Sequence, residues 1–231
     1  FGQRNPIYRQ GEGVGIGFTH EFSKQLSLGV GYLTSPGTDP LATDADTAYS
    51  AIAQLTYKPT KALGLGLTYV HSYNGLDTST GSAISNDPFD DESEAVHAHS
   101  LGFQTSFKLN SRVALGGWVG LTQATATDLP NTPQASIFNW GITAAFPDLG
   151  KKGNLGALII GQPPQTFRNG FQEDGAALVD SGTSLHLEAF YRIHIQENVA
   201  LTVGGWMVTN PEGKADSSPL FVGAVRTTVS F

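Results

Sequence analysis

Apolar and polar residues alternate along almost the whole chain. At its end, Phe221, Gly223, Val225, Thr227, Val229 and Phe231 share one face, and Val222, Ala224, Arg226, Thr228 and Ser230 share the other. A period of two is that of a β-strand with one apolar and one wet face. Reading each alternating run as a strand predicts about eleven, over residues 13–22, 25–34, 47–58, 62–72, 97–109, 112–124, 135–146, 154–163, 184–196, 199–209 and 219–231. Most are about ten residues long, the length that crosses a bilayer at a tilt. No helix is predicted.

The polar faces carry charge. In 184–196, Leu185, Leu187, Ala189, Tyr191, Ile193 and Ile195 oppose His186, Glu188, Phe190, Arg192 and His194. An Arg at a bilayer midplane costs about 2–4 kcal/mol, so this second face belongs to a water-filled lumen. By the same alternation Gln104, Lys108, Asn139 and Arg226 also line the lumen. Outward aromatics gather near strand ends: Phe22, Tyr57, Phe107, Phe146, Tyr191 and Phe231 at one rim, and Tyr32, Tyr69, Tyr73 and Phe221 at the other. These are the interfacial girdles of a membrane barrel.

Connections sort by length. Those around Ser23-Lys24, Thr60-Lys61, Asn110-Ser111 and Glu197-Asn198 are very short, and Pro147–Gly153 is somewhat longer. Between them lie the long segments 35–46, 73–96, 125–134, 164–183 and 210–218. Short turns on one side and long loops on the other are the pattern of a bacterial outer-membrane barrel. A soluble β-sandwich has no reason to sort its loops in this way. Such barrels close with an even number of strands, and eleven is odd. Phe1–Gly11 is therefore expected to be the external end of an earlier strand. Residues 1–231 are read as the C-terminal part of a larger barrel domain whose N-terminal strands are missing.

Composition agrees. Only 14% of the 231 residues are charged, against about 25% in ordinary soluble domains. No apolar run reaches 18 residues, which excludes a transmembrane helix. A net charge of −7 argues against nucleic acid as a partner. There is no cysteine, hence no disulfide or thiolate chemistry.

Loop 73–96 is the main chemical candidate. Asp87, Asp90, Asp91, Glu92 and Glu94 precede His97 and His99, a mixture able to concentrate cations at a pore mouth. It matches no defined metal motif, and a solvated acidic loop explains it as well. No metal and no cofactor is expected. The nucleophile elbow, the zinc-protease helix and a catalytic cysteine are all missing, so no enzyme is expected. The glycines of Gly13-Val-Gly15-Ile-Gly17 lack the strand–loop–helix setting of a phosphate loop and read as small residues in strands. An inward-folded constriction is expected from either loop 73–96 or loop 164–183.

Several segments resemble a known family. They are Ala53-Gln-Leu-Thr-Tyr-Lys-Pro-Thr60, Leu65-Gly-Leu-Thr-Tyr-Val-His-Ser-Tyr73, Lys152-Gly-Asn-Leu-Gly-Ala-Leu-Ile-Ile-Gly-Gln-Pro-Pro164, Thr183–Ile195 with Thr209-Asn-Pro-Glu212, and Val222–Phe231. In this order they resemble the cyanobacterial porins of the carbohydrate-selective, OprB-like family. The resemblance implies a barrel of about sixteen strands in the outer membrane. It also implies an N-terminal S-layer-homology domain binding the cell wall, often a homotrimer embedded in membrane lipid, and passive diffusion of small solutes or inorganic ions through the water-filled barrel. Three other readings stay open: a structural anchor with a narrow or plugged barrel, an outer-membrane enzyme built on His20, His71, His97 or His99, and a soluble binding module.

Overall fold

The computed structural model describes residues 4–34 and 48–230. Eleven of its strands form one antiparallel sheet: β1 (Val14–Glu21), β2 (Leu26–Thr34), β3 (Tyr49–Tyr57), β4 (Leu63–Tyr73), β5 (Val96–Lys108), β6 (Ala114–Ala126), β7 (Gln134–Pro147), β8 (Leu155–Asn169), β11 (Leu185–Gln196), β12 (Val199–Thr209) and β13 (Leu220–Val229). β9 (Gln172–Glu173) and β10 (Ala176–Ala177) form a separate small hairpin between β8 and β11. Every large strand pairs with its neighbour in sequence, and β8 pairs with β11 across that hairpin. The sheet is the wall of a partial β-barrel with β1 and β13 as its edges.

Alternation sets the two faces. Ile16, Leu67, Leu101, Phe103, Leu121, Ile142, Leu158, Val203 and Val225 are exposed on one side. Thr68, Ser72, Ser100, Thr122, Asn139 and Thr166 are buried on the other. This is the reverse of a soluble sheet, whose buried face is the apolar one. Among the described residues no helix is long and apolar enough to cross a membrane, so the spanning elements are the strands.

Among the described residues the connections at one end of the sheet are mostly short and those at the other mostly long, but 127–133 and 148–154, at opposite ends, are seven residues each. Loop 35–46 and the aromatic rim residue Phe231 lie outside the described residues. Two segments differ from expectation. β8 runs to Asn169, past Pro163-Pro164, rather than ending at residue 163. Its register against β7 shifts between Phe138 and Trp140, where the prolines form part of the extra length. A proline removes a ladder donor, and a bulge is where that loss is tolerated. Beyond Gly161, β8 no longer pairs with β11, so only one ladder is interrupted.

The other difference is at the start of the described chain. Residues 4–10 do not extend an earlier strand. Pro6–Arg9 form a 3-10 turn, begun by Asn5, whose side-chain oxygen accepts from Ile7 N, and by Pro6 at the first helical position. This turn lies against the buried face of the sheet, where Asn5, Ile7 and Gln10 lose almost all their exposure.

Candidate functional site

Two lateral rows of inner-face residues are unusually small, and each receives a segment of chain. The first, near the long-loop end, runs Ser50–Ser72–Ala98–Ala124–Ala135–Asn169 across β3 to β8. Into the space left by its alanines goes the ring of Phe89, with no accessible surface, beside Leu76 and Ile137. Phe171 meets that ring edge-on at a centroid distance of 6.2 Å. Loop 74–95 thus folds inward. It carries one helical turn, α1 (Ala83–Asn86), capped by the Ser82 hydroxyl, which accepts from Ser85 N at 3.0 Å.

The loop is fastened to β8 and to two other loops. Asn169 Nδ2 donates to Pro88 O at 2.6 Å, and Thr166 Oγ1 donates to Ile84 O at 3.1 Å. Asp180 accepts from Ser82 Oγ at 2.8 Å and from Thr166 N at 2.6 Å. Ala83 N donates to Glu212 Oε2 at 2.9 Å, linking this loop to the one between β12 and β13. Burial raises the Asp180 carboxyl above its ordinary value, and Glu212 pushes the same way, against the Ser82 and Thr166 donors.

The second row lies at mid-height of the wall: Gln54–Thr68–Gly102–Gly120–Asn139. The strap of residues 4–10 crosses it. Tyr8 OH sits 2.8 Å from Thr68 Oγ1, accepts from Gln54 Nε2 at 2.8 Å, and also accepts from Gln104 Nε2. Asn5 Nδ2 donates to Val119 O at 2.8 Å, and Ser100 Oγ donates to Gln10 Oε1 at 2.8 Å. A side chain at Gly102 would place its Cβ 2.5 Å from Ile7 Cδ1, and one at Gly120 would lie 2.7 Å from Asn5 Oδ1. The bare backbone of these two glycines is the bed of the strap.

Along the rest of the inner face, His186 and Glu188 pair at 3.1 Å on β11, with side chains 5% and 23% exposed. Gln104 and Asn139 share this face but are covered, Gln104 by Tyr8 and Asn139 to 2% exposure. Lys108, Arg192 and Arg226 are exposed on it, and His194 is half-buried.

An apolar-out, polar-in sheet with sorted loops and inward-folded segments is the wall of a porin. The chain matches the family described as "Carbohydrate-selective porin, OprB family" over residues 2–231. It belongs to that family. It is similar to uncharacterized protein sll0772 of Synechocystis sp., 32% identical over all of this chain and 45% of the relative. It is also similar to uncharacterized protein alr4550 of Nostoc sp., 29% identical over all of this chain and 42% of the relative. The chain thus spans less than half the length of the curated relatives it matches. No solved structure matches it. Family membership places this OprB-family chain in the bacterial outer membrane and points to a transport channel rather than an enzyme.

The acidic loop and the histidines after it are not brought together in this OprB wall. Asp90, Asp91, Glu92 and Glu94 are exposed. Asp87 is tied into the loop itself, its carboxylate accepting from Asp91 N at 2.7 Å. His97 and His99 occupy the outward face of β5, where His71 stacks on His99 at 4.6 Å and on His97 at 5.7 Å. Their polar partners are tyrosines: Tyr49 OH meets His71 Nε2 at 3.2 Å, and Tyr69 OH meets His99 Nδ1 at 2.6 Å. With Tyr32 and Tyr73 they make an outward aromatic patch at the external rim. Among the described residues no cluster is arranged to hold a metal ion, and no Ser or Asp hydrogen-bonds His20, His71, His97 or His99.

Sequence reasoning missed Phe89, Asp180, Asn5, Tyr8 and Gln10. The signal present was the matching set of small inner-face residues in adjacent strands, which only a known register lines up into rows.

Proposed function

We propose that the whole protein is an outer-membrane porin giving passive diffusion of small solutes, carbohydrates or inorganic ions through a water-filled barrel. The observation that carries this reading is the polar inner wall, with Lys108, His186, Glu188, Arg192, His194 and Arg226 on the face opposite the exposed apolar rows. Charge and width along such a wall select solutes without any chemical step. Gln104 and Asn139 act beneath the strap, as its support. The carboxylates Asp87, Asp90, Asp91, Glu92 and Glu94 form an acidic mouth that gathers cations from outside. Assembly as a homotrimer, and attachment to the cell wall through a domain elsewhere in the longer protein, belong to the same reading and rest on the family.

A second reading has an observation in its favour. Two segments fold against the inner face; in this second reading they narrow or plug the barrel, and its main duty is structural, fastening the outer membrane to the wall. Planar-bilayer recording of the full-length protein separates the two. Discrete conductance steps are expected from the porin, with monosaccharide-driven swelling of loaded liposomes showing whether sugars pass. A folded, correctly inserted barrel that stays silent would leave the anchor.

A further inference from the structure

The chain is acidic as a whole, with a net charge of −7, but its charge is not evenly placed. The exposed carboxylates of loop 74–95 stand at the mouth. On the inner face of the strands, the charged residues other than histidine among those described are Lys108, Arg192 and Arg226 against Glu21 and Glu188, an excess of one positive charge. To this basic wall the strap adds Arg4 and Arg9. Both are exposed, while Asn5, Ile7 and Gln10 between and beside them are buried against the sheet. Neither arginine has a carboxylate within ion-pair distance among the described residues.

The strap is a fixed object. Tyr8 is held by three strands at once, through Gln54 of β3, Thr68 of β4 and Gln104 of β5. Its bed is at mid-height of the wall, below the seat of Phe89, so an ion moving inward along this wall meets the strap after the acidic mouth. Buried amides and hydroxyls that are all bonded to one another rigidify their surroundings. The two guanidinium groups are therefore presented at a constant place rather than on a wandering chain. A guanidinium stays charged at every physiological pH.

Resting on the porin reading above, we propose that residues 4–10 are the selectivity element of the pore, and that Arg4 and Arg9 make it prefer small anions over cations in spite of the acidic mouth and the negative net charge. The mouth sets which ions accumulate outside, and the strap sets which of them cross. Salt weakens the preference, because the Debye length falls from about 10 Å at 0.1 M to about 3 Å at 1 M.

The test is the reversal potential of the full-length protein in planar bilayers under a potassium chloride gradient, for the wild type, Arg9→Gln and the double variant Arg4→Gln with Arg9→Gln. Both positions are exposed, so the variants keep the fold. The wild type is expected to be anion-selective at 0.1 M. Each guanidinium removed should lower the chloride-to-potassium permeability ratio by roughly twofold or more, the Coulomb effect of a unit charge about 8 Å from the ion path in water. Single-channel conductance should persist. Conducting channels whose selectivity is unchanged in the double variant, or a cation-selective wild type, would overturn the strap's role and leave the porin standing. Silence of the wild type and both variants would overturn the porin reading, and the strap proposal with it.

Discussion

Phe89 sits in a loop of carboxylates and yet has no accessible surface. Its ring is accommodated because Ala98, Ala124 and Ala135, side by side on three adjacent strands, carry nothing beyond Cβ. Truncating a buried phenylalanine typically costs about 3–5 kcal/mol. Here that loss falls on loop docking, since the strands keep their own ladders. Phe89→Ala should therefore leave the barrel folded and speed proteolytic cleavage within residues 77–95 many-fold. Cleavage at the wild-type rate would mean that the hydrogen bonds Asn169 donates and Asp180 accepts hold the loop without the ring. Gly102 allows a parallel experiment on the strap. A leucine there would enter the space of Ile7 and Asn5. Residues 1–231 contain no cysteine, so once any cysteine elsewhere in the longer protein is replaced, a spin label on Arg9→Cys reports that site alone. The label should be immobile in the wild-type background and mobile with Gly102→Leu; equal mobility in both would show that the glycine bed does not hold the strap.

Among the elements, strands were legible and their accessories were not. Alternation located all eleven strands of the large sheet because a barrel wall has a solvent on each side, lipid and water, and each residue declares which it faces. β8 was cut short at Pro163-Pro164 because proline is normally a strand breaker, and only the bulge against β7 explains its tolerance. The docked loop and the strap were hidden because their side chains meet partners far away in sequence, as Asn5 does with Val119. No local pattern encodes such pairs, and of the inner-face residues only those left uncovered behave as alternation alone suggests. Asp180 shows what these long-range contacts add. Burial, with Glu212 nearby, raises its carboxyl above the ordinary value in the docked loop. Docking thus binds a proton more tightly than the undocked chain does. That contribution to docking is present at pH values below the ordinary carboxylate value, and is lost as pH rises through the raised one. Hydrogen exchange in residues 82–92 should accordingly be slower in mild acid than at neutral pH after correction for intrinsic rates. Asp180→Asn should flatten the difference. A loop less protected in acid would mean that the hydrogen bonds of the ionised carboxylate outweigh its burial.

At the scale of the whole molecule, the two faces make a prediction that no soluble fold shares. Val225 and Ala224 are adjacent on β13, both exposed, and point to opposite sides of the sheet. By simple solvent accessibility an arginine should be equally harmless at either. If the outward side meets hydrocarbon, it is not, because a guanidinium near the bilayer midplane on the lipid face costs about 2–4 kcal/mol. On the inner side the same group only joins Arg226 in water. Val225→Arg should lower the fraction of full-length protein that inserts and folds in lipid vesicles, read as the heat-modifiable band on a gel. Ala224→Arg should insert like the wild type and shift ion selectivity toward anions. The contrast should shrink for outward positions nearer the rims, where the cost falls to about 0–1 kcal/mol. Equal insertion of the two midplane variants would mean that the outward apolar rows do not face lipid at this strand. The exposed side of β13 would then be covered by protein, as at a contact between copies of the barrel.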